Sequence, residues 1–210
     1  AVAHALDGAS SVHIVLTHGH GDHAGAVDAL LRAVPSAVVV GAGHPAARPL
    51  DDGETVSTDE GALVAVPTPG HTRDHLCYHW PERAALFAGD LVLGQGDTTW
   101  VGEYPGCVAD YLGSLDRVEA LPLDRVYPTH GPDIENPAAA WAAYRHHRLD
   151  RVRQVREALE DMPEATVTEL VDRVYGPAVP EGLGGAALAS LEALVEHART
   201  PHPPGAGNRQ

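Results

Sequence analysis

Apolar residues in the first two thirds of the chain recur at the short intervals that are typical of β-strands and amphipathic helices. Val12, Ile14 and Leu16 alternate with other residues, which predicts a strand that ends at Thr17. Further short apolar runs predict strands over 36–43, 63–71, 76–80, 84–90 and 124–131. Three- and four-residue spacing predicts helices over 24–34 and 108–121. Short strands interrupted by helices favour an α/β or layered α+β domain.

The pattern changes at Asn136, a helix-capping residue that precedes Pro137 at the first helical position. One apolar face then repeats every three or four residues and predicts a long helix through Trp141, Tyr144, Arg148, Val152, Val155, Leu159 and Met162. Thr166 and Glu169 fit a capping box for a second helix, and residues 186–198 predict a third. We therefore expect a layered domain over 1–135, a helical module over 136–198 and a disordered tail over 199–210.

Charge and cysteine content narrow the classes of function. The 210 residues carry a formal net charge of −15, and all 14 Lys-or-Arg positions are Arg. This charge repels polyanions at long range, which disfavours a general nucleic-acid-coating role. Cys77 and Cys107 are too few for a disulfide framework and are expected to be small buried groups in a reducing compartment. No apolar run has the length of a membrane span, so a cytoplasmic protein without a membrane partner is expected.

The stretch LTHGHGDHAGAV concentrates polar side chains directly after the first predicted strand, at His18, His20, Asp22 and His23. Such a run fits a metal site, a solvated polar loop or a by-product of a chain with 14 histidines. Three further residues favour the metal site because each follows a predicted strand in a loop with Gly or Pro: His71, Asp90 and His130.

Five histidines and two aspartates can hold two divalent metals. Imidazole and carboxylate ligands suit zinc, with iron or manganese as alternatives, and none of these loops offers a thiolate. If two metals share the site, one carboxylate bridges them, and a water between them loses a proton near neutral pH. Such a hydroxide is itself the nucleophile, so the chemistry needs neither a serine nor a cysteine.

Four segments in this order, THGHGDHAG, PTPGHTRDH, LFAGDLVLGQGDTT and YPTHGP, resemble the metallo-β-lactamase-fold hydrolases. The segment LGQGDTT and the later YLGSL, VYPTHGPDIENP and HHR are most similar to the branch that includes beta-lactamase-like protein 2, an endoribonuclease. The resemblance runs from about residue 10 to about residue 197 and implies an αββα sandwich, here over 1–135 as the catalytic domain. It also implies that the C-terminal module is winged-helix-like.

The resemblance assigns each ligand a place. His18, His20 and His71 would hold the first zinc ion, Asp22, His23 and His130 the second, and Asp90 would bridge the two. Asp22 and Asp90 would thereby belong to the catalytic apparatus, and His75 is a candidate proton donor or supporting group beside it. The intact second set argues against a mono-iron oxygenase.

The chain departs from the family at its start. Members normally place several strands before the HxHxDH loop, whereas here only 17 residues precede His18. We expect either an N-terminally incomplete sequence or a poorly stable isolated chain, with apolar surface exposed where those strands would lie.

Two features of the C-terminal module remain open at this point. Five arginines, Arg145, Arg148, Arg151, Arg153 and Arg156, favour a solvated helix face over a phosphate-contacting patch, with Arg148 packed inward. The last helix carries Glu192 and Glu196 but no arginine before Arg199, which disfavours sequence-specific DNA binding. Packing or a homodimer contact is the expected role of the module.

The sequence thus predicts a metal-dependent hydrolase of an ester-type bond. The residues leave the substrate open between a small acyl or thioester compound and single-stranded RNA, because the superfamily hosts both on one kind of site. The alternatives are an endoribonuclease specifically, or a non-catalytic truncated binding protein on the same fold.

Overall fold

The strands form two sheets. The computed structural model describes residues 9–176 and 184–200. Strands β1 (His13–Leu16) and β2 (Val38–Gly41) pair in parallel as a small sheet. A second sheet has five strands in sequence order, β3 (Thr55–Thr58), β4 (Gly61–Pro67), β5 (Leu76–Trp80), β6 (Ala85–Gly89) and β7 (Arg125–Pro128). Its neighbours are antiparallel except for β6 and β7, which run in parallel.

Six α-helices accompany these strands in the described ranges: α1 (Gly21–Ala24), α2 (Val27–Ala33), α3 (Cys107–Glu119), α4 (Pro137–Asp161), α5 (Val167–Tyr175) and α6 (Gly184–Arg199). A single 3₁₀ turn, Pro81–Arg83, links β5 to β6. The predicted starts of α4 and α5 are confirmed: Asn136 caps α4 by accepting a hydrogen bond from the Ala139 amide, and Thr166 and Glu169 form a capping box on α5.

Three apolar clusters give the layers of the molecule. Leu16, Val27 and Val39 pack α1 and α2 against the small sheet. Strand β5 shows how the large sheet divides the other two clusters, because successive side chains point to opposite faces. Leu76 packs toward the small sheet, whereas Cys77 packs toward α3–α6. The resulting order is helix, sheet, sheet, helix, so the predicted mixed α/β sandwich is confirmed.

The C-terminal helices pack on the large sheet through one continuous core. Trp141, Leu170 and Leu191 belong to the same cluster as Leu86 and Val126 of the sheet. Residues 136–176 and 184–200 contribute three helices, while the tail from 201 lies outside the described residues. The domain boundary at 135 and the winged-helix-like arrangement stay predictions.

One strand was not predicted, and its surroundings explain why. Strand β3 lies at the edge of the large sheet, and of its four residues only Val56 is buried. A strand with a single apolar side chain has no period that a sequence pattern can reveal.

Several apolar side chains line a groove at the surface. Val15, Leu63, Phe87 and Tyr127 contribute to an open groove of about 490 Å³, and Tyr127 is 38% exposed. The missing N-terminal strands themselves stay a prediction. None of the helices in the described residues has the length and apolar character needed to cross a lipid bilayer.

Candidate metal centre

The first ligands lie on the loop that leaves β1. The chain turns sharply between Leu16 and α1, and it passes within close reach of the loop after β2, where Gly43 has a φ of +80°. A Cβ on Gly43 would lie 2.1 Å from the Gly19 Cα, so only glycine permits this approach. The tight turn brings the side chains of His18 and His20 to the same side of the sandwich.

Three imidazoles form the first ligand group, His18, His20 and His71. The His20 Nδ1 lies 3.1 Å from the Nε2 of His18 and 3.1 Å from the Nε2 of His71. His18 is fully buried and His71 is 5% exposed. Three ring nitrogens that converge in this way fit a shared cation, because neutral imidazoles are common ligands of zinc.

In His18 and His71, the ring nitrogen that faces away from the other imidazoles contacts a polar group of the protein. The His71 Nδ1 donates to the Trp100 carbonyl at 2.8 Å, which leaves the lone pair of its Nε2 free for a metal. The His18 Nδ1 lies 3.1 Å from the Thr17 hydroxyl. Burial lowers the pKa of His18 to about 3 and also lowers the pKa of His71. Both rings are therefore neutral at physiological pH, the state in which imidazole binds metal.

The second ligand group consists of Asp22, His23 and His130 and is more open to solvent. The His130 Nε2 lies 3.1 Å from Asp22 Oδ2, and the His23 Nε2 lies 3.6 Å from the same oxygen. The side chain of Asp22 is 58% exposed and that of His130 is 45% exposed. A hydrogen bond from its own backbone amide holds the pKa of Asp22 below its usual value, so this carboxylate is charged at neutral pH.

Asp90 lies between the two groups. Its Oδ2 is 3.6 Å from the His71 Nε2, and its Oδ1 is 3.4 Å from the His23 Nε2 and 3.6 Å from the His130 Nε2. The preceding Gly89, at the end of β6, has a φ of +51°, and a Cβ there would lie 2.6 Å from the His75 Nε2. Glycine thus allows the chain to turn Asp90 into the centre.

Two buried polar atoms show that this centre is built for a ligand. The His23 Nε2 and Asp90 Oδ1 are buried and have no hydrogen-bond partner among the described residues. Leaving such atoms unpaired costs free energy, and a bound cation would satisfy both. The residues present therefore fit divalent metals that accept nitrogen and oxygen ligands.

His75 lies behind Asp90 and does not reach the cleft. It is 1% exposed, its Nε2 accepts a hydrogen bond from the Asp90 amide at 3.1 Å, and its Nδ1 lies 2.8 Å from the Thr68 hydroxyl. Burial lowers the pKa of His75 well below its ordinary value. With both nitrogens engaged, the neutral ring supports the backbone of Asp90.

The arginine-rich helix α4 carries few free cations. Arg148 is buried, as its place on the apolar stripe predicted. Arg145 pairs with acidic residues of α3, Arg151 donates to the Val174 carbonyl, and Arg153 pairs within α4 with Asp150 and Glu157. The solvated, ion-paired face that the sequence favours agrees with these contacts.

Sequence reasoning missed the residues that support the ligands. Thr17 and Thr99 act through their hydroxyls, and Trp100 acts through its backbone carbonyl. A backbone carbonyl has no side-chain signal, so no sequence pattern could have identified the last of these.

Cys77 and Cys107, expected to be small buried groups, are buried free thiols.

Comparison with known proteins gives a consistent result. The family model described as Metallo-beta-lactamase superfamily matches residues 2–58 and 43–130. The beta-lactamase-like protein 2 homolog of Caenorhabditis elegans is 31% identical over 193 residues, which are 88% of this chain and 63% of that protein. An atrochrysone carboxyl ACP thioesterase of Aspergillus chevalieri is 36% identical over 187 residues, which are 84% of this chain and 59% of that protein. The chain thus spans 59 to 63% of the length of these relatives.

A solved structure shows the same fold. The beta-lactamase domain protein of Burkholderia ambifaria superimposes with a TM-score of 0.73 at 23% identity, over 91% of this chain and 68% of that one. The resemblance that the four sequence motifs indicated, including the one to the beta-lactamase-like protein 2 branch, is confirmed by these matches. The chain belongs to the metallo-beta-lactamase superfamily.

Proposed function

We propose that this chain is a metal-dependent hydrolase that cleaves an acyl thioester. The observation that carries the proposal is the pair of ligand groups joined by Asp90, whose two oxygens face one group each. Divalent ions bound by these residues would lower the pKa of a water to near neutral and polarise the bond to be cleaved. Zinc is the proposed metal, with iron or manganese as alternatives.

Each residue of the centre has a proposed role. His18, His20 and His71 would hold the first ion, Asp22, His23 and His130 would hold the second, and Asp90 would contribute to both. Asp22 and Asp90 are carboxylates of the centre and would also accept hydrogen bonds there. Of the two roles that the sequence leaves open for His75, we favour the supporting one, in which the ring positions Asp90 through its backbone amide.

The proposed substrate class rests on the net charge of the chain and on its sequence similarity to a named thioesterase. A formal net charge of −15 disfavours a polyanion and leaves a small acyl compound in favour. A relative 36% identical to the chain is named a carboxyl ACP thioesterase. The ion pairs of α4 further reduce the surface that an RNA backbone could contact. Single-stranded RNA is therefore the second substrate to test, and a homodimer stays a prediction.

A substrate panel tests the proposal. The purified chain, loaded with zinc, would be assayed on small acyl thioesters and on a single-stranded RNA oligonucleotide, with His20→Ala as the control. We expect thioester hydrolysis that His20→Ala abolishes, and about two equivalents of bound zinc by elemental analysis. Hydrolysis that persists in His20→Ala would overturn the mechanism, RNA cleavage alone would overturn the substrate class, and metal content near zero would support the non-catalytic alternative.

A further inference from the structure

Arg148 is an unusual residue in the core. It projects from α4, is only 4% exposed, and no carboxylate among the described residues pairs with it. Its guanidinium lies over the ring of Tyr111 at 5.2 Å, and its Nε has no hydrogen-bond partner in the described part of the chain. Burying a cation without an anion costs free energy. An apolar side chain at this position would avoid that cost.

A chain of hydrogen bonds connects Arg148 to the metal centre through Thr99. Its Nη2 donates to the Thr99 carbonyl at 2.9 Å. The Thr99 hydroxyl in turn donates to the Asp90 carbonyl at 2.9 Å. The next residue, Trp100, offers the carbonyl that accepts from the His71 Nδ1 at 2.8 Å. One dipeptide, Thr99–Trp100, thus contacts both the bridging carboxylate residue and a ligand of the first group.

Helix α6 binds the same segment from another side. The Trp100 Nε1 donates to the Ala186 carbonyl of α6 at 3.2 Å, and the Ser190 hydroxyl donates to the Val101 carbonyl at 3.0 Å. Helix α4 also binds the segment nearer Asp90, where the Tyr144 hydroxyl bonds the backbone of Leu93. The segment that crosses from Asp90 to Val101 is therefore fixed by helices that contribute no ligand.

We propose that Arg148 is a positioning residue for the metal centre: it fixes the Thr99–Trp100 dipeptide so that His71 and Asp90 face the first ion together. The inference rests on the proposed function, since it presumes that the centre binds metal. Groups that orient metal ligands from outside typically change metal affinity 10- to 100-fold when removed. The C-terminal helices are then part of the apparatus of the centre and not an appended packing module.

Zinc affinity, measured by chelator competition, is the first test. We expect Arg148→Met to weaken binding at the tighter site about 10- to 100-fold. Arg153→Met, an exposed position on the same helix, is the matched control and should leave the affinity unchanged. In the metal-free protein, the NMR signal of the His71 Nδ1 proton should exchange with water faster in Arg148→Met but not in Arg153→Met.

A double-mutant cycle separates positioning from general stability. If Arg148 acts through Thr99, the combination with Thr99→Val should lose far less affinity than the product of the two single losses, because both changes break one chain of bonds. Additive losses, or native affinity in Arg148→Met, would overturn the inference. If Arg148→Met does not fold, Arg148→Gln against Arg153→Gln decides: weaker zinc binding in the Arg148 variant alone supports the inference, and equal binding overturns it.

The native protein keeps the two proposals apart. If the unaltered chain binds no zinc, the proposed metal centre fails. If it binds zinc and Arg148→Met binds equally well, only the positioning role fails.

Discussion

The two ligand groups of the centre share Asp90 but differ in their protection from solvent. His18 and His71 are buried, and their outer nitrogens contact Thr17 and the Trp100 carbonyl. In the second group, the side chains of Asp22 and His130 are about half exposed and that of His23 is 5% exposed, while in the first group the side chain of His20 is 35% exposed. Rings that are already oriented lose little freedom when a metal binds, whereas exposed side chains must be ordered at that moment.

This difference predicts two unequal sites. The first group should bind its ion tightly and retain it during purification, and the second should exchange its ion readily. Since the pKa of His18 is lowered to about 3, protons do not compete for this ligand at neutral pH. If both groups bind metal, the first ion would be firmly held and the second would lie at the solvent side of the cleft.

The largest expected effect comes from the buried group. His71→Ala removes a ligand that no exposed side chain can replace, so the first ion should be lost together with the support of Asp90. We expect thioester hydrolysis to fall about a thousand-fold, which corresponds to about 4 kcal/mol of transition-state stabilisation. His146→Ala, at an exposed position on α4, should behave like the native chain. Residual activity within tenfold of native would contradict the primary role of the first group.

The exposed group should tolerate substitution better. His130→Ala should lower hydrolysis by about a hundred-fold and leave about one equivalent of zinc bound, because the buried imidazoles remain in place. Elemental analysis after gel filtration measures this difference directly. Loss of both ions would show that the two groups do not bind independently, and the comparison between them would then be wrong.

Acid should destabilise the metal-free chain through the buried group. In the folded chain the pKa of His18 is lowered from its ordinary value to about 3. Between these two values, the unfolded chain binds a proton at His18 and the folded chain does not. The associated stability is complete above pH 6.5 and is lost as the pH falls toward 3. One such group contributes at most about 1.4 kcal/mol per pH unit. Urea unfolding between pH 6.5 and 5.5 should show a smaller pH dependence in His18→Gln, and an equal dependence would contradict the assignment.

The sequence predicted which side chains converge better than it predicted their surroundings. His18, His71, Asp90 and His130 follow strands in Gly- or Pro-containing loops, and the structure brings all of them together. The layered α/β fold followed from the strand and helix periods. Edge strand β3 did not, because it buries only Val56.

The supporting contacts could not be predicted for a related reason. Thr99, Trp100 and Arg148 meet only after the segment following β6 has packed against α4 and α6. Two of these bonds end on backbone carbonyls, and a carbonyl is present at every position of the chain. Local periods predict elements, whereas a contact between residues 49 positions apart depends on the tertiary packing.

The smallest effect on zinc binding is expected for a change at Thr17, which contacts His18 of the first group but does not belong to that group. The His18 Nδ1 lies 3.1 Å from the Thr17 hydroxyl, and a ring that binds metal through Nε2 must donate its Nδ1 proton. Thr17→Val removes this acceptor and keeps the shape, so zinc affinity of the first site should fall about fivefold, the equivalent of one neutral hydrogen bond of about 1 kcal/mol. Thr17→Ser retains the hydroxyl and should bind zinc as the native chain does. If both variants bind equally, the orientation of His18 comes from its burial alone, and the tightness of the first site owes nothing to Thr17.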